Sequence, residues 1–199
     1  MAVLGAVVSA LAVPAVASAN ATNIETGRAF DITTSVLGAK LTIGPDTGLI
    51  STPNSSSTSL NAGSASSPLI SGSLLSASVK TTANESAQSK ATIAQTTITL
   101  PAFPVITGKL ITAESSASCR AHGTVLGSSM VGSLTVNGTT YPIASPPNTK
   151  IPFGLGTIII NEQIKSGNTL KVNAVHVEVP LLGIDVVVAS AFSGVANCA

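Results

Sequence analysis

The sequence offers few side chains able to carry chemistry. Its only imidazoles are His122 and His176, and neither falls in a His-x-x-x-His or His-Glu-x-x-His spacing that would put two ligands on one helix face. No zinc centre is supported. His176 reads most simply as a polar-face, hydrogen-bonded residue, and His122, just past Cys119 and Arg120, as a surface residue. A serine nucleophile of the hydrolase type needs a Gly-x-Ser-x-Gly elbow, and Gly127-Ser128-Ser129-Met130-Val131-Gly132 has the wrong spacing. Ser and Thr supply 50 of the 199 residues, so a Ser, His and acid combination on paper selects nothing.

The acids are five Glu and three Asp. Paired carboxylates for glycoside cleavage would have to come from this small set. Glu162, between Asn161 and Gln163, is the best single candidate, because a carboxylate on an otherwise neutral strand must find donors if it is buried. Asp185 enters an apolar strand after a glycine turn and reads as an acceptor for turn backbone. Glu162, His176 and Asp185 are therefore the polar-site candidates, with a structural role the simplest reading of each. No catalytic, cofactor-binding or metal-binding residue is assigned. Asp46 lacks a second acid at calcium-loop spacing, and no Gly-rich loop precedes a helix to cradle phosphate. With no Trp and only Tyr141, a sugar-stacking groove is disfavoured.

The elements that carry these residues alternate with a period of two, which is the signature of strands. Ala29 to Ile43 reads as one or two strands ending at Gly44-Pro45-Asp46; further strands cover 75–79, 91–100 and 109–119. Asn137-Gly138 between Leu134-Thr135-Val136 and Thr139-Thr140-Tyr141 predicts a hairpin with a type I′ turn, which needs positive φ at both central residues. A second hairpin joins 156–164 to 169–179, where Val175, Val177 and Val179 face one way and His176 and Glu178 the other. The last strand, 184–192, contains the unbroken Val186-Val187-Val188 and so is covered on both faces. Ser51 to Ser73, rich in Ser, Asn, Gly and Ala, reads as a surface loop. Many short strands and almost no helical periodicity predict an all-β fold, a single antiparallel sandwich or barrel-like domain over 20–199.

Composition narrows the function. Charged residues are 9% of the chain, aromatics 3% and hydrophobics 44%, with a net charge of +1. Soluble domains usually carry about 25% charged residues. So few cations exclude a nucleic-acid footprint, which needs many phosphate contacts. Residues 1–19 form an uncharged apolar run ending in Ala17-Ser18-Ala19, which predicts a signal peptide cleaved after Ala19 and hence secretion, with no membrane span in the mature chain. An even pair of cysteines, Cys119 and Cys198, then reads as a disulfide, two free buried thiols being the alternative.

Several motifs occur in order: Ala117-Ser118-Cys119, Leu134-Thr135-Val136-Asn137-Gly138, Pro147-Asn148-Thr149, the run 154–163, Val172-Asn173-Ala174-Val175-His176-Val177 and the run 185–191. Together with Gly27-Arg28-Ala29-Phe30 and Leu41-Thr42-Ile43-Gly44-Pro45, they resemble the choice-of-anchor P family of secreted bacterial surface proteins over about residues 23–199. The resemblance implies an extracellular domain of Gram-positive bacteria without an assigned reaction, and it transfers no catalytic residue. The expectation is a non-enzymatic cell-surface or extracellular-matrix protein that self-associates through strand edges or contacts envelope components. A polysaccharide- or ligand-binding module is the alternative, and a secreted hydrolase comes third. No cofactor is expected.

Overall fold

The computed structural model describes residues 22–120, 123–141 and 146–198. The leader expected over 1–19 and the residue His122 lie outside the described residues. The chain forms β1 (Ile24–Val36), β2 (Ala39–Asp46), β3 (Ile50–Thr52), β4 (Ser56–Ser66), β5 (Ile70–Thr82), β6 (Ser86–Ile98) and β7 (Ile106–Ser118). It continues with β8 (Thr124–Val136), β9 (Thr139–Tyr141), β10 (Thr149–Phe153), β11 (Gly156–Ser166), β12 (Thr169–Val179) and β13 (Ile184–Ala196). A short 3-10 turn lies at Pro180–Leu182, between β12 and β13.

The strands make two antiparallel sheets, a sandwich as the alternation predicted. The central part of the chain runs as an uninterrupted meander, β4-β5-β6-β7-β8-β9, and forms the six-stranded sheet. Both ends of the chain build the seven-stranded sheet, β10-β11-β12-β13-β1-β2, with β3 also paired to β1. Val, Ile and Ala on the inner faces, among them Ile32, Ile93, Ile111, Ile158 and Val188, form one apolar cluster between the layers. At one end of the sandwich buried serines tie the sheets together: Ser115 Oγ donates to Leu170 O at 2.8 Å and Ser89 Oγ to Phe192 O at 2.6 Å. Each bond satisfies a buried hydroxyl at the interface between the sheets. Cys119 and Cys198 form a disulfide, with Cα atoms 5.0 Å apart, joining the end of β7 to the chain just past β13.

Both expected hairpins form. Val136 pairs with Thr139 across Asn137 and Gly138, whose φ values of 49° and 79° are those a type I′ turn demands. Residues 51–73 differ from the expected loop: they contain β4 and the start of β5, paired from Ser56↔Thr81 to Ser66↔Ser71. Their composition is too polar for a central strand, yet β4 is an edge and needs only one apolar contact surface. Ala62 and Ala65 provide it, packing on the core, while ladder bonds to β5 satisfy the backbone.

Most strands are longer than the period-two reading suggested, because the alternation slips by one residue partway along. Between β5 and β6 the pairing runs Ser73↔Gln95 and then Leu75↔Ile93, so Leu74 and Ala94 drop out of the ladder. Ala94 and Leu110 drop out between β6 and β7, and Leu110 and Gly132 between β7 and β8. The seven-stranded sheet repeats the pattern at Asn161, Ala174, Ala189 and Asp31. Each sheet is thus crossed by a crease, a transverse row of unpaired residues. On alternate strands the row residue is left-handed: Leu74 (φ 49°), Leu110 (52°), Asn161 (54°) and Ala189 (53°). Such a conformation costs an L-residue about 1–2 kcal/mol. The crease inverts face parity, so that Leu170 and Val172 point inward on one side of it in β12 and Val175, Val177 and Val179 on the other.

Candidate functional site

The crease in the seven-stranded sheet sets up the site. On the outer face Asn173 lies beside Glu162 and Ser190 on one side of the crease, and His176 beside Val187 on the other, with Asp185 opposite Glu178 one row further. The fold brings these rows together into a trough of about 580 Å³, whose lining includes Arg28, Lys40, Glu162, Lys171, His176 and Asp185. Although they belong to the outer face, Asn173 and Ser190 are only 1% exposed and His176 only 7%. The trough floor is therefore desolvated like an interior.

A continuous polar chain runs along that floor. Ser190 Oγ donates to Asn173 Oδ1 at 2.7 Å, and Asn173 Nδ2 donates to Glu162 Oε2 at 2.5 Å. His176 Nδ1 lies 2.9 Å from the same Glu162 oxygen, and His176 Nε2 lies 2.9 Å from Asp185 Oδ2. Glu162, His176 and Asp185, chosen separately from the sequence, form one network. Asp185 accepts from an imidazole and not from the turn backbone, because β13 starts at Ile184 and places it opposite β12.

The charges follow from these contacts. Burial alone would push the His176 imidazolium down, but its bonds to Asp185 and Glu162 overcome that and raise its pKa to about 9. Burial opposes the charged form of Glu162, while hydrogen bonds from His176 and Asn173 hold its carboxyl below the usual range. The hydrogen bond from His176 does the same for Asp185. At neutral pH the site is an imidazolium clamped between two carboxylates. A general base near neutrality needs a deprotonated group poised there, and a general acid a labile proton. Here the proton sits on His176, and the deprotonated groups are the two carboxylates it bonds.

His176, Glu178 and Asp185 also place potential ligand atoms within 4.8 Å of one another. A metal ligand must be a neutral imidazole. Here the nitrogen in question is held protonated by Asp185, with Glu178 Oε1 at 3.6 Å, so this chemistry favours the proton over a cation.

The sequence reading missed the groups around the three candidates. Arg28 donates to Asp46 through Nε at 3.0 Å and Nη2 at 2.6 Å and sits 5.3 Å from the Phe30 ring centre. That bidentate bond, working against burial, sets Asp46 low and Arg28 high. Lys171 shares a cross-strand row with Phe192 and Arg28. Burial lowers its pKa, the Glu162 carboxylate opposes that, and the nearby Lys40 ammonium adds to it. The available signal for Lys171 and Asn173 was the alternation of β12, and the parity slip at Ala174 hid that they share a face with His176.

A second depression, about 730 Å³, lies over the six-stranded sheet and is lined mainly by Ser57, Ser78, Lys80, Gln88, Lys90 and Glu114. Its one ion pair, Lys90 with Glu114, is half exposed on both sides and contributes little. No helix among the described residues is long and apolar enough to cross a membrane. No protein-family profile, curated protein or solved structure matches the chain.

Proposed function

We propose that this protein is a non-enzymatic extracellular structural or interaction protein of the bacterial surface that self-associates through the free edge of β4. The observation carrying this reading is the contrast among the sheet edges. Natural edges are blunted by shortness, proline, lysine or a bulge. β10 has five residues and includes Lys150 and Pro152, β3 has three, and β2 carries Lys40 and Pro45. On β8, residues 124–133 lie beyond the reach of the three-residue β9 and also lack charge and proline, but there Gln163 Nε2 takes up one edge carbonyl, that of Gly127, at 3.1 Å. β4 has none of these devices: its eleven residues include no charge and no proline. Leu60, on its core-facing side opposite the buried Ala77, remains 41% exposed at the rim. A second copy pairing antiparallel with β4 would extend the six-stranded sheet, bond the free backbone groups and cover Leu60.

Sedimentation velocity over a hundredfold range of concentration tests this. A concentration-dependent dimer or larger species is expected, and Leu60→Lys, which places a charge on the edge, returns it to monomer. A monomer at the highest concentration refutes the reading.

Support for a non-enzymatic role comes from the trough, where the titrating groups neutralise one another. An extracellular location is supported by the disulfide, which persists in oxidising compartments, and by the motifs resembling choice-of-anchor P domains. The trough also favours a second reading alongside the first, recognition of an extracellular ligand on a pre-formed surface.

A further inference from the structure

We infer that the trough recognises an acidic polysaccharide, with Lys40 and Lys171 together receiving its anionic group, a carboxylate or a phosphate. This rests on the ligand-recognition reading and names the class of ligand. The first support is the charge pairing of the site. Asp46 is taken by Arg28, while Glu162 and Asp185 are both taken by His176, with Glu178 close behind. Lys40 and Lys171 form no ion pair among the described residues, although both line the trough. They stand on opposite sides of the crease: Lys171 is in the row of Phe192 and Arg28, and Lys40 in the row of Ser35 and Asp185. Burial disfavours the Lys171 ammonium and the Lys40 charge adds to that, while the Glu162 and Asp185 carboxylates favour it. An anionic oxygen between them offsets both effects.

The second support is the chemistry of the walls. Of the strands beneath the trough, β12, β13 and β1 are paired on both sides, and the free edge of β2 at its rim is blunted by Lys40 and Pro45, so little backbone is open to an extended peptide. What they offer is side chains: Thr33 and Ser35 as hydroxyl groups, and Phe30, Val187 and Phe192 as apolar patches. Fixed polar groups beside small apolar faces suit sugar rings, which carry hydroxyls at their rims and C–H groups on their faces. Two unpaired lysines among several carboxylates are too few for a nucleic acid, whose affinity comes from many phosphate contacts.

The test is calorimetric titration of the full chain at low salt with tetragalacturonate, its fully methyl-esterified neutral form, and a glycerol phosphate tetramer. At least one acidic tetramer is expected to bind. Lys40→Met and Lys171→Met should each weaken that binding about tenfold, the loss of one charge-assisted contact. Lys171→Arg retains it, and Lys150→Met, on the exposed β10 edge, is without effect. Unchanged melting temperatures of the methionine variants separate lost contacts from lost folding. The acidic tetramer that binds with this lysine dependence identifies the anion as carboxylate or phosphate. Binding that survives both methionine substitutions overturns the inference. Equal binding of the neutral ester overturns it too, while leaving ligand recognition standing; binding of none of the three removes both.

Discussion

Replacing Asp31 with Asn should change how stability depends on pH. Asp31 lies on the crease in β1, fully buried, and neither of its carboxylate oxygens has a hydrogen-bond partner. Its desolvation raises its pKa from 3.8 to about 7. The folded-state value exceeds the unfolded one, so the native state holds the extra proton between these limits. The contribution of Asp31 to the unfolding free energy should therefore fall as pH rises from about 4 to about 7 and then level off. Some three pKa units at about 1.4 kcal/mol each make the full swing about 4 kcal/mol. Asn cannot ionise, so Asp31→Asn should lose this slope and gain stability over the parent chiefly above pH 7. Urea unfolding of both proteins at pH 4, 5.5, 7 and 8.5 reads the difference directly. If the two curves run parallel across that range, Asp31 is not the desolvated acid inferred from its burial.

The His176 imidazole should titrate near pH 9 by NMR, and Asp185→Asn should bring it down, since Asp185 is the strongest group raising it. Because that folded value exceeds 6.5, the stabilisation from His176 is complete below about pH 6.5 and is lost as pH rises through 9, a second decline that His176→Gln removes in urea melts. Reduction of the Cys119–Cys198 bond, which closes a separation of 79 residues, should cost about 4–5 kcal/mol in equilibrium unfolding on the chain-entropy account. Gly27→Ala should lower stability by about 1–3 kcal/mol, because its added methyl would sit 2.6 Å from Val79 Cγ1 and 2.9 Å from Ser89 Oγ; an unchanged melting temperature would show that the sheets can separate there.

Strand identity and the two hairpins were legible in the sequence because their signals are local: β-branched alternation, and Asn-Gly at a turn. The crease was not. Leu74, Leu110 and Ala189 carry no local sign that they sit at positive φ, a conformation imposed by neighbouring strands, whereas Asn161 is of a type that tolerates it. The slip at Ala174 then set Asn173 and His176 at odd spacing, so Glu162, His176 and Asp185 could be singled out one by one but not assembled. Residues 51–73 were misread for a related reason. Polarity argues against a core strand, but an edge strand needs little apolar surface and takes its order from the ladder beside it.

The crease also constrains how such a chain can change. A deletion of Leu74 alone would restore unbroken alternation to β5, but one half of that strand would then turn its core residues outward against neighbours that keep the offset. The same holds for an insertion next to any member of the row. Loss or gain of the offset would have to occur in every strand of a sheet at once, so descendants should vary freely in their turns while retaining this one register position together.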